Sequence, residues 1–213
     1  MNTDRMLNQI RMLFSRNTVL LLSILLMGFS VYFFLGAEEY RRYLQRKRPL
    51  EFSNNEQVVV EKIIDGDELK VRDPQGNTTV MRLVGIRTFS PQSHIFQFPN
   101  YGDQAIKWMN KRTKGKKAQV RIGKPHIDGK GRLLGSLMIY NDLTGKYGDD
   151  IALELLFKGL TLVYTKYPFA YEEVYNRAEA HARANHKGLW GNAEATRLAL
   201  SLKQMWAQQR VSP

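Results

Sequence analysis

The feature that most constrains how this chain folds is an uncharged apolar segment near its N-terminus. The segment, TVLLLSILLMGFSVYFFLGA, runs for twenty residues from Thr18 to Ala37. At a rise of about 1.5 Å per helical residue, such a segment spans roughly 30 Å, the thickness of the hydrocarbon core of a bilayer. It therefore predicts a single membrane-spanning helix over residues 18–37, after an N-terminal tail of residues 1–17.

A buried core helix and a cleaved signal peptide are the two alternatives for this segment. The segment is longer than the roughly 7–15 apolar residues of a signal peptide, and Leu35 stands where the cleavage pattern requires a small residue. Basic residues flank the segment on both sides: Arg5, Arg11 and Arg16 before it, and Arg41, Arg42, Arg46, Lys47 and Arg48 after it. The larger number after the segment favours a single-pass membrane protein with a cytoplasmic C-terminal domain.

The charge of the chain is strongly positive, with 32 Lys and Arg against 20 Asp and Glu. It is not confined to the basic juxtamembrane linker, residues 38–54, because residues 51–213 alone contain 24 basic and 17 acidic side chains. Such a charge suits a polyanionic partner, either nucleic acid or the anionic surface of a lipid bilayer. The chain has no cysteine, which excludes disulfides, thiolate zinc sites and thiol nucleophiles.

Strand and helix patterns follow one another through residues 55–192. Strands are predicted, from their β-branched and aromatic content, at QVVVEKIID, DELKVRD, TTVMRLVGI, AQVRIG, RLLGSLMIY and LTLVY. Helices are predicted, from apolar spacing and end signals, at YGDQAIKWMNKRTKG, DDIALELLFKG and YEEVYNRAEAHARANHKG. Together they predict an α+β domain in which a small five-stranded sheet closes into a barrel and carries three helices.

Spacing within the predicted helices gives more detailed expectations. Glu173 with Arg177, and Glu179 with Arg183, are spaced to form ion pairs on an exposed helix face. Trp190 is expected to fill the core at the end of the predicted helix YEEVYNRAEAHARANHKG. Residues 193–213 are predicted to form a C-terminal amphipathic helix with Leu198, Leu202, Met205 and Trp206 on one face. We expect this face to dock on its own domain, and contact with a partner or a membrane is the alternative.

Six short motifs occur in one order between Ile63 and Gly191: IIDGDELKV, MRLVGIRT, YGDQA, DGKGR, LFKGLTLVY and KGLWG. Together they resemble the thermonuclease (staphylococcal nuclease-like) family. The resemblance implies an oligonucleotide-binding (OB) barrel of five strands with three helices. It also implies calcium-dependent hydrolysis of DNA or RNA, although several relatives have lost the chemistry and keep the fold for binding.

The resemblance implies roles for individual residues. Hydrolysis of a phosphodiester needs a cation held by hard oxygen ligands and guanidinium groups that stabilise the charged transition state. The family's first metal-binding carboxylate corresponds to Asp67, with Asp65 as its neighbour, and its two phosphate-gripping arginines correspond to Arg82 and Arg132. Residues that stack on a base correspond to Tyr164 and Tyr167.

The sequence departs from the family where two further acids are expected. The family stretch Asp-Thr-Pro-Glu here reads Arg87-Thr88-Phe89-Ser90, so an arginine replaces the second metal carboxylate and a serine replaces the water-activating glutamate. No Asp or Glu occurs in residues 74–102, so no local shift of the alignment restores either acid. Glu68 is not expected to substitute as a ligand, because neighbouring residues of a strand face opposite sides.

These observations predict an anion-binding pocket of Arg82, Arg87 and Arg132 beside a disrupted calcium site, with no small-molecule cofactor. Each residue also has a structural alternative: Arg82 as the ion-pair partner of Asp67, Arg132 as a solvated turn residue, and the two tyrosines as core and rim. Three functions remain open. They are a membrane-anchored domain that binds nucleic acid or another phosphate-bearing anion with weak or no nuclease activity, an active metal-dependent endonuclease, and a membrane-associated scaffold for protein interactions.

Overall fold

The computed structural model describes residues 16–47, 52–89 and 101–211. The chain divides into two compact units, Met1–Arg48 and Pro49–Pro213. In the first unit, helix α1 spans Arg16–Lys47 and contains the apolar stretch Thr18–Ala37, whose residues are exposed. The helix is long and apolar enough to cross a membrane, and a signal sequence near the N-terminus can meet the same criterion of length and composition. Retention of the helix and the side of the membrane remain predictions.

The second unit contains eight strands, four α-helices and one 3₁₀ turn in its described residues. In chain order they are β1 (Glu56–Asp65), β2 (Glu68–Arg72), β3 (Thr78–Leu83), β4 (Ile86–Arg87), α2 (Tyr101–Thr113), β5 (Ala118–Ile127), β6 (Leu133–Asn141), β7 (Lys146–Asp150), α3 (Ile151–Phe157), β8 (Leu162–Val163), α4 (Glu172–Ala184), the 3₁₀ turn (Gly188–Gly191) and α5 (Ala193–Gln208).

Five of the strands close into a barrel. The sheet order is β3-β2-β1-β5-β6-β7, and β3 also pairs in parallel with β6, so that the ring closes and β7 lies outside it on β6. Strands β4 and β8 form a separate antiparallel pair, with Ile86 opposite Val163. The predicted five-stranded OB-type barrel of an α+β domain is confirmed. Strand β7 was not predicted, and Asp150 at its end caps α3 by accepting hydrogen bonds from the N–H groups of Ala152 and Leu153.

The main core lies inside the barrel, where alternate strand residues point inward. Leu69 and Val71 of β2, Met81 of β3, and Leu137 and Ile139 of β6 are completely buried. These positions lie within DELKVRD, TTVMRLVGI and RLLGSLMIY, three of the segments predicted as strands.

Helix α5 docks on the same unit through a second apolar cluster. Its residues Ala195, Ala199, Leu202 and Trp206 are buried with Trp190. The expectation that the helix packs on its own domain is confirmed, as is the buried position of Trp190. Met205, placed on the same face by the sequence pattern, is instead 40% exposed.

Helix α4 forms one of its two predicted ion pairs. Arg177 Nη1 lies 3.0 Å from Glu173 Oε1. The prediction that Glu179 pairs with Arg183 on an exposed face is wrong, because α4 turns Glu179 toward β8 and α5. The buried Glu179 carboxylate accepts a hydrogen bond from the Val163 N–H at 2.8 Å and forms an ion pair with Lys203 of α5.

Candidate functional site

A cavity of about 520 Å³ brings together all five charged residues predicted for the site. It lies where the β1–β2 turn, β3 and β4 approach β8 and α5. Four basic and three acidic side chains line it: Arg82, Arg87, Lys130, Arg132, Asp65, Asp67 and Glu68. We call this cavity the cationic pocket.

The β1–β2 turn places two of the carboxylates. Strand β1 ends at Asp65, whose Oδ1 accepts a hydrogen bond from the Gly66 N–H at 2.7 Å. A side chain at Gly66 would collide with Thr88, since a Cβ built there lies 2.3 Å from Thr88 Cγ2. Glycine therefore lets the turn lie directly against Thr88, which follows β4, and this close approach sets Asp67 beside the arginines.

Asp67 and Arg82 face each other in the pocket. Arg82 Nη2 lies 3.4 Å from Asp67 Oδ2, and both side chains are largely buried. Burial raises the pKa of Asp67, while the charges of Arg82 and Arg87 act in the opposite direction. The structural ion pair considered for Arg82 is therefore present, and it occupies one of the five N–H donors of the guanidinium.

Arg132 is held by two carboxylates. Its Nε donates to Asp128 Oδ2 at 2.8 Å, and its Nη1 donates to Glu68 Oε2 at 2.5 Å. The side chain is only 14% exposed, so the alternative of a solvated turn residue is wrong. Arg132 is therefore the most strongly paired arginine of the pocket. An external anion would have to compete with both carboxylates for its N–H donors.

The expectation that Glu68 faces away from the site is wrong. Glu68 lines the pocket together with Asp67. Strand alternation does not apply between them, because Asp67 lies in the turn before β2 and the β1–β2 pairing shifts register between Ile63 and Asp65. The Glu68 carboxylate is nevertheless bound to Arg132.

Arg87 differs from the other two arginines. It lies on β4, opposite Leu162 of β8, and its side chain is exposed. No carboxylate of the described residues lies at salt-bridge distance from it, although its charge lowers the pKa of Asp67. Its guanidinium is thus available to an external anion.

The described residues of the pocket do not fit the calcium ion that the family resemblance implies. Calcium takes roughly six to eight oxygen ligands. Within the described ranges, no three His, Asp or Glu side chains are grouped so that they could hold a metal ion. Asp67 and Glu68 are paired with arginines. By the resemblance, Arg87 stands where the family has its second metal carboxylate. Ser90 lies outside the described residues.

The pocket also has an apolar side, which the sequence analysis did not predict. It is formed by Phe89, Leu162, Tyr164, Leu202, Met205 and Trp206. The rings of Tyr164 and Trp206 meet edge to face, with centroids 4.9 Å apart. Of the two predicted stacking residues, only Tyr164 lines the pocket. The Tyr167 ring packs edge to face against the Tyr164 ring, with centroids 5.9 Å apart. The spacing of the apolar residues in α5 predicted that the helix would dock on its own domain. Nothing in the sequence indicated that it would dock beside this pocket.

The relatives of the chain among known proteins include several named as endonucleases. A family model described as staphylococcal nuclease homologue matches residues 80–192. Endonuclease YhcR of Bacillus subtilis is 26% identical over 143 residues, which cover 62% of this chain and 11% of that protein. Probable endonuclease LCL3 of Candida tropicalis is 28% identical over 207 residues, covering 81% of this chain and 84% of that protein. Probable endonuclease LCL3 of Komagataella phaffii is 30% identical over 129 residues, covering 57% and 53%. The chain thus spans most of one relative, about half of another and a small part of the third.

Proposed function

This chain belongs to the staphylococcal nuclease homologue family, and we propose that it binds nucleic acid through phosphate contacts in the cationic pocket, with weak or no calcium-dependent cleavage. The observation that carries the proposal is the position of Arg87. An exposed guanidinium, free of carboxylates in the described structure, lies in the pocket where the family resemblance implies a metal ligand.

The charge of Arg87 opposes a metal and favours a phosphate. A guanidinium in place of a carboxylate changes the local charge by two units. At an effective dielectric constant of about 20, like unit charges ~4 Å apart repel each other by about 4 kcal/mol. A calcium ion would lose a ligand and meet this repulsion. A phosphate oxygen would instead accept charge-assisted hydrogen bonds from the planar fork of the guanidinium.

The remaining pocket residues support the same proposal. Asp67 and Glu68 are each paired with an arginine, which leaves Arg87 and the exposed Lys130 opposed by Asp65 as the remaining carboxylate among the lining residues. Arg82 also keeps donors beyond the one that faces Asp67. A second candidate function, cleavage of nucleic acid, is favoured by the names of the relatives and by the presence of Asp67, Arg82 and Arg132.

We expect residues 49–213 to bind single-stranded DNA or RNA with salt-dependent affinity and without calcium-stimulated cleavage. Each phosphate contact should contribute about −0.7 to the slope of log affinity against log salt concentration. Fluorescence anisotropy at several salt concentrations measures the slope, and gel analysis of the same samples with calcium or chelator measures cleavage. Nucleic-acid binding with an affinity that does not change with salt concentration would favour the scaffold for protein interactions. Cleavage that stops with chelator and in Asp67→Asn would establish the nuclease instead.

We also propose that α1 is a retained membrane anchor. Twenty apolar residues bind a bilayer by burial and not by charge, so the full-length protein should stay in the membrane fraction after carbonate or high-salt extraction. Deletion of residues 1–48 should move it to the soluble fraction. Recovery of the full-length protein as a soluble form trimmed at its N-terminus would show a signal peptide, and N-terminal sequencing of the recovered protein distinguishes the two.

A further inference from the structure

We propose that the β6–β7 hairpin and the loop between α2 and β5 form a surface that docks on an anionic lipid bilayer. The loop comprises residues 114–117, and the tip of the hairpin comprises residues 141–146. We call the two together the hairpin surface. The inference does not depend on nucleic-acid binding in the cationic pocket. It rests on the proposed retention of α1, because an anchor in a bilayer raises the effective concentration of lipid around the attached unit.

The tip of the hairpin holds an apolar side chain in solvent. Leu143 is 97% exposed, more than any other large apolar side chain of the described residues. The Asn141 Oδ1 accepts hydrogen bonds from the N–H groups of Leu143 and Thr144 at 3.0 and 3.2 Å. The Asn141 carbonyl accepts a third from the Gly145 N–H at 2.9 Å. Since these backbone donors are satisfied within the turn, the tip can approach hydrocarbon without leaving them unpaired.

A pair of tyrosine rings lies behind the tip. Tyr140 and Tyr147 are paired across the hairpin, with ring centroids 5.1 Å apart, and both are half-buried. Tyrosine combines an apolar ring with a polar hydroxyl, and it is enriched where hydrocarbon meets the lipid headgroups. An exposed leucine in front of a tyrosine pair therefore suits the interface of a bilayer.

The charge beside the tip is positive. Lys117 and Lys146 are exposed, and neither forms an ion pair with a carboxylate of the described residues. The Tyr140 N–H donates to the Lys117 carbonyl at 2.9 Å, so the loop lies against the hairpin. Asp142 at the tip is paired with Lys116. The surface therefore complements anionic headgroups, and each lysine close to such headgroups strengthens binding by about fivefold.

A bilayer fits this combination of side chains better than nucleic acid does. Anionic lipids offer a negative surface with hydrocarbon beneath it, so they can bind the lysines and bury the leucine together. Nucleic acid would bind the lysines through its phosphates, but that contact would not bury the Leu143 side chain. Helix α1 is also long and apolar enough to cross a membrane.

The test places a fluorescent label on the hairpin of the full-length protein in nanodiscs. The chain has no cysteine, so Thr144→Cys gives a unique labelling site on the exposed tip. A lipid with a nitroxide near its headgroup should quench the label in nanodiscs that contain phosphatidylserine, but not in nanodiscs of phosphatidylcholine alone. Quenching should decrease as salt rises from about 0.1 to 1 M, because the Debye length shortens from ~10 to ~3 Å. A label at Gly129→Cys, exposed in the turn before β6, should be quenched in neither.

Two variants of the labelled protein test the leucine and the lysines separately. Leu143→Ser should lower the ratio of docked to undocked protein by about tenfold or more, because it removes the apolar side chain that the bilayer buries. Lys117→Gln with Lys146→Gln should lower the ratio by about 25-fold, or about fivefold for each lysine. The matched control is Lys124→Gln with Lys187→Gln, which removes two exposed charges on β5 and after α4. It should leave the ratio close to that of the labelled parent.

Other results would overturn the inference. Equal quenching in both kinds of nanodisc would show that the surface does not recognise anionic lipid. Quenching as strong at Gly129 as at Thr144 would show that the domain has no preferred face toward lipid. If the protein stays in the nanodiscs and the Thr144 label is not quenched, the proposed anchor stands and the hairpin surface is wrong. If the double change at Lys117 and Lys146 weakens oligonucleotide binding and leaves quenching unchanged, the surface binds nucleic acid instead.

Discussion

Replacing Arg87 by aspartate is expected to lower the affinity of the cationic pocket for single-stranded nucleic acid by roughly 100-fold. Loss of a charge-assisted hydrogen bond costs about 1.5–3 kcal/mol, or about one to two decades in affinity, and the new carboxylate adds repulsion of the phosphate. Arg87→Gln, which only removes the contact, should lower affinity roughly tenfold. The fold should tolerate both changes, because the Arg87 side chain is exposed and has no carboxylate partner in the described structure.

The same substitution is expected to raise the affinity for calcium. It restores an acid at the position that the family resemblance assigns to the metal, beside Asp67. It also removes a cation that lowers the pKa of Asp67 and adds an anion that raises it. Calcium binds the charged carboxylates in competition with protons. The calcium affinity gained in Arg87→Asp should therefore fall as the pH falls through the raised pKa of Asp67. Calorimetric titration with calcium at several pH values measures this directly.

Arg177→Asp is the matched control for this experiment. Arg177 is exposed on α4, does not line the pocket, and gives the same change of two charge units. It should therefore affect nucleic-acid binding only slightly, through the overall charge. If Arg87→Asp and Arg177→Asp give the same small effect and calcium affinity does not change, Arg87 is not part of the binding site and the proposed function loses its main support.

Alanine at Gly159 or Gly188 is expected to destabilise the domain by about 2–5 kcal/mol. Both glycines have left-handed backbone, with φ of +66° and +55°, which costs a residue with a Cβ roughly 1–2 kcal/mol. They also meet backbone to backbone, because the Leu189 N–H donates to the Gly159 carbonyl at 2.9 Å. A Cβ on Gly159 would lie 2.1 Å from the Lys187 carbonyl oxygen, and one on Gly188 would lie 2.3 Å from the Gly159 oxygen. Overpacking of this kind adds about 1–3 kcal/mol.

Gly76→Ala and Gly115→Ala separate the two contributions. Their φ angles are +94° and +70°, but a Cβ at either position would meet nothing within 4 Å. They should lose only the conformational part, about 1–2 kcal/mol. Urea denaturation of residues 49–213 measures all four variants. Equal losses at the four positions would show that the contact between the Gly159 and Gly188 segments is not tightly packed.

Most of the strands and helices could be predicted from the sequence, because local residue patterns indicate them. The alternation in β2 and β3 and the helical spacing in α2 and α4 reflect which face of each element is buried, and neither depends on distant residues. Two predictions within elements were wrong because the cause lies outside the element in each case. Glu179 was placed on an exposed face, but β8 and α5 cover it. Glu68 was placed on the far side of its strand, but the turn before β2 breaks the alternation.

The sequence by itself indicated five of the charged residues that line the pocket. The resemblance of the motifs around Asp67, Arg82 and Arg132, and the arginine at position 87, can be read without coordinates. Only the tertiary structure decided which charges remain available. Arg132 is bound by Glu68, a residue 64 positions away, and Arg82 faces Asp67, while Arg87 is exposed. Ion pairing depends on distances through space between residues far apart in the chain, and the position of α5 against the pocket does so too. No local pattern records these distances.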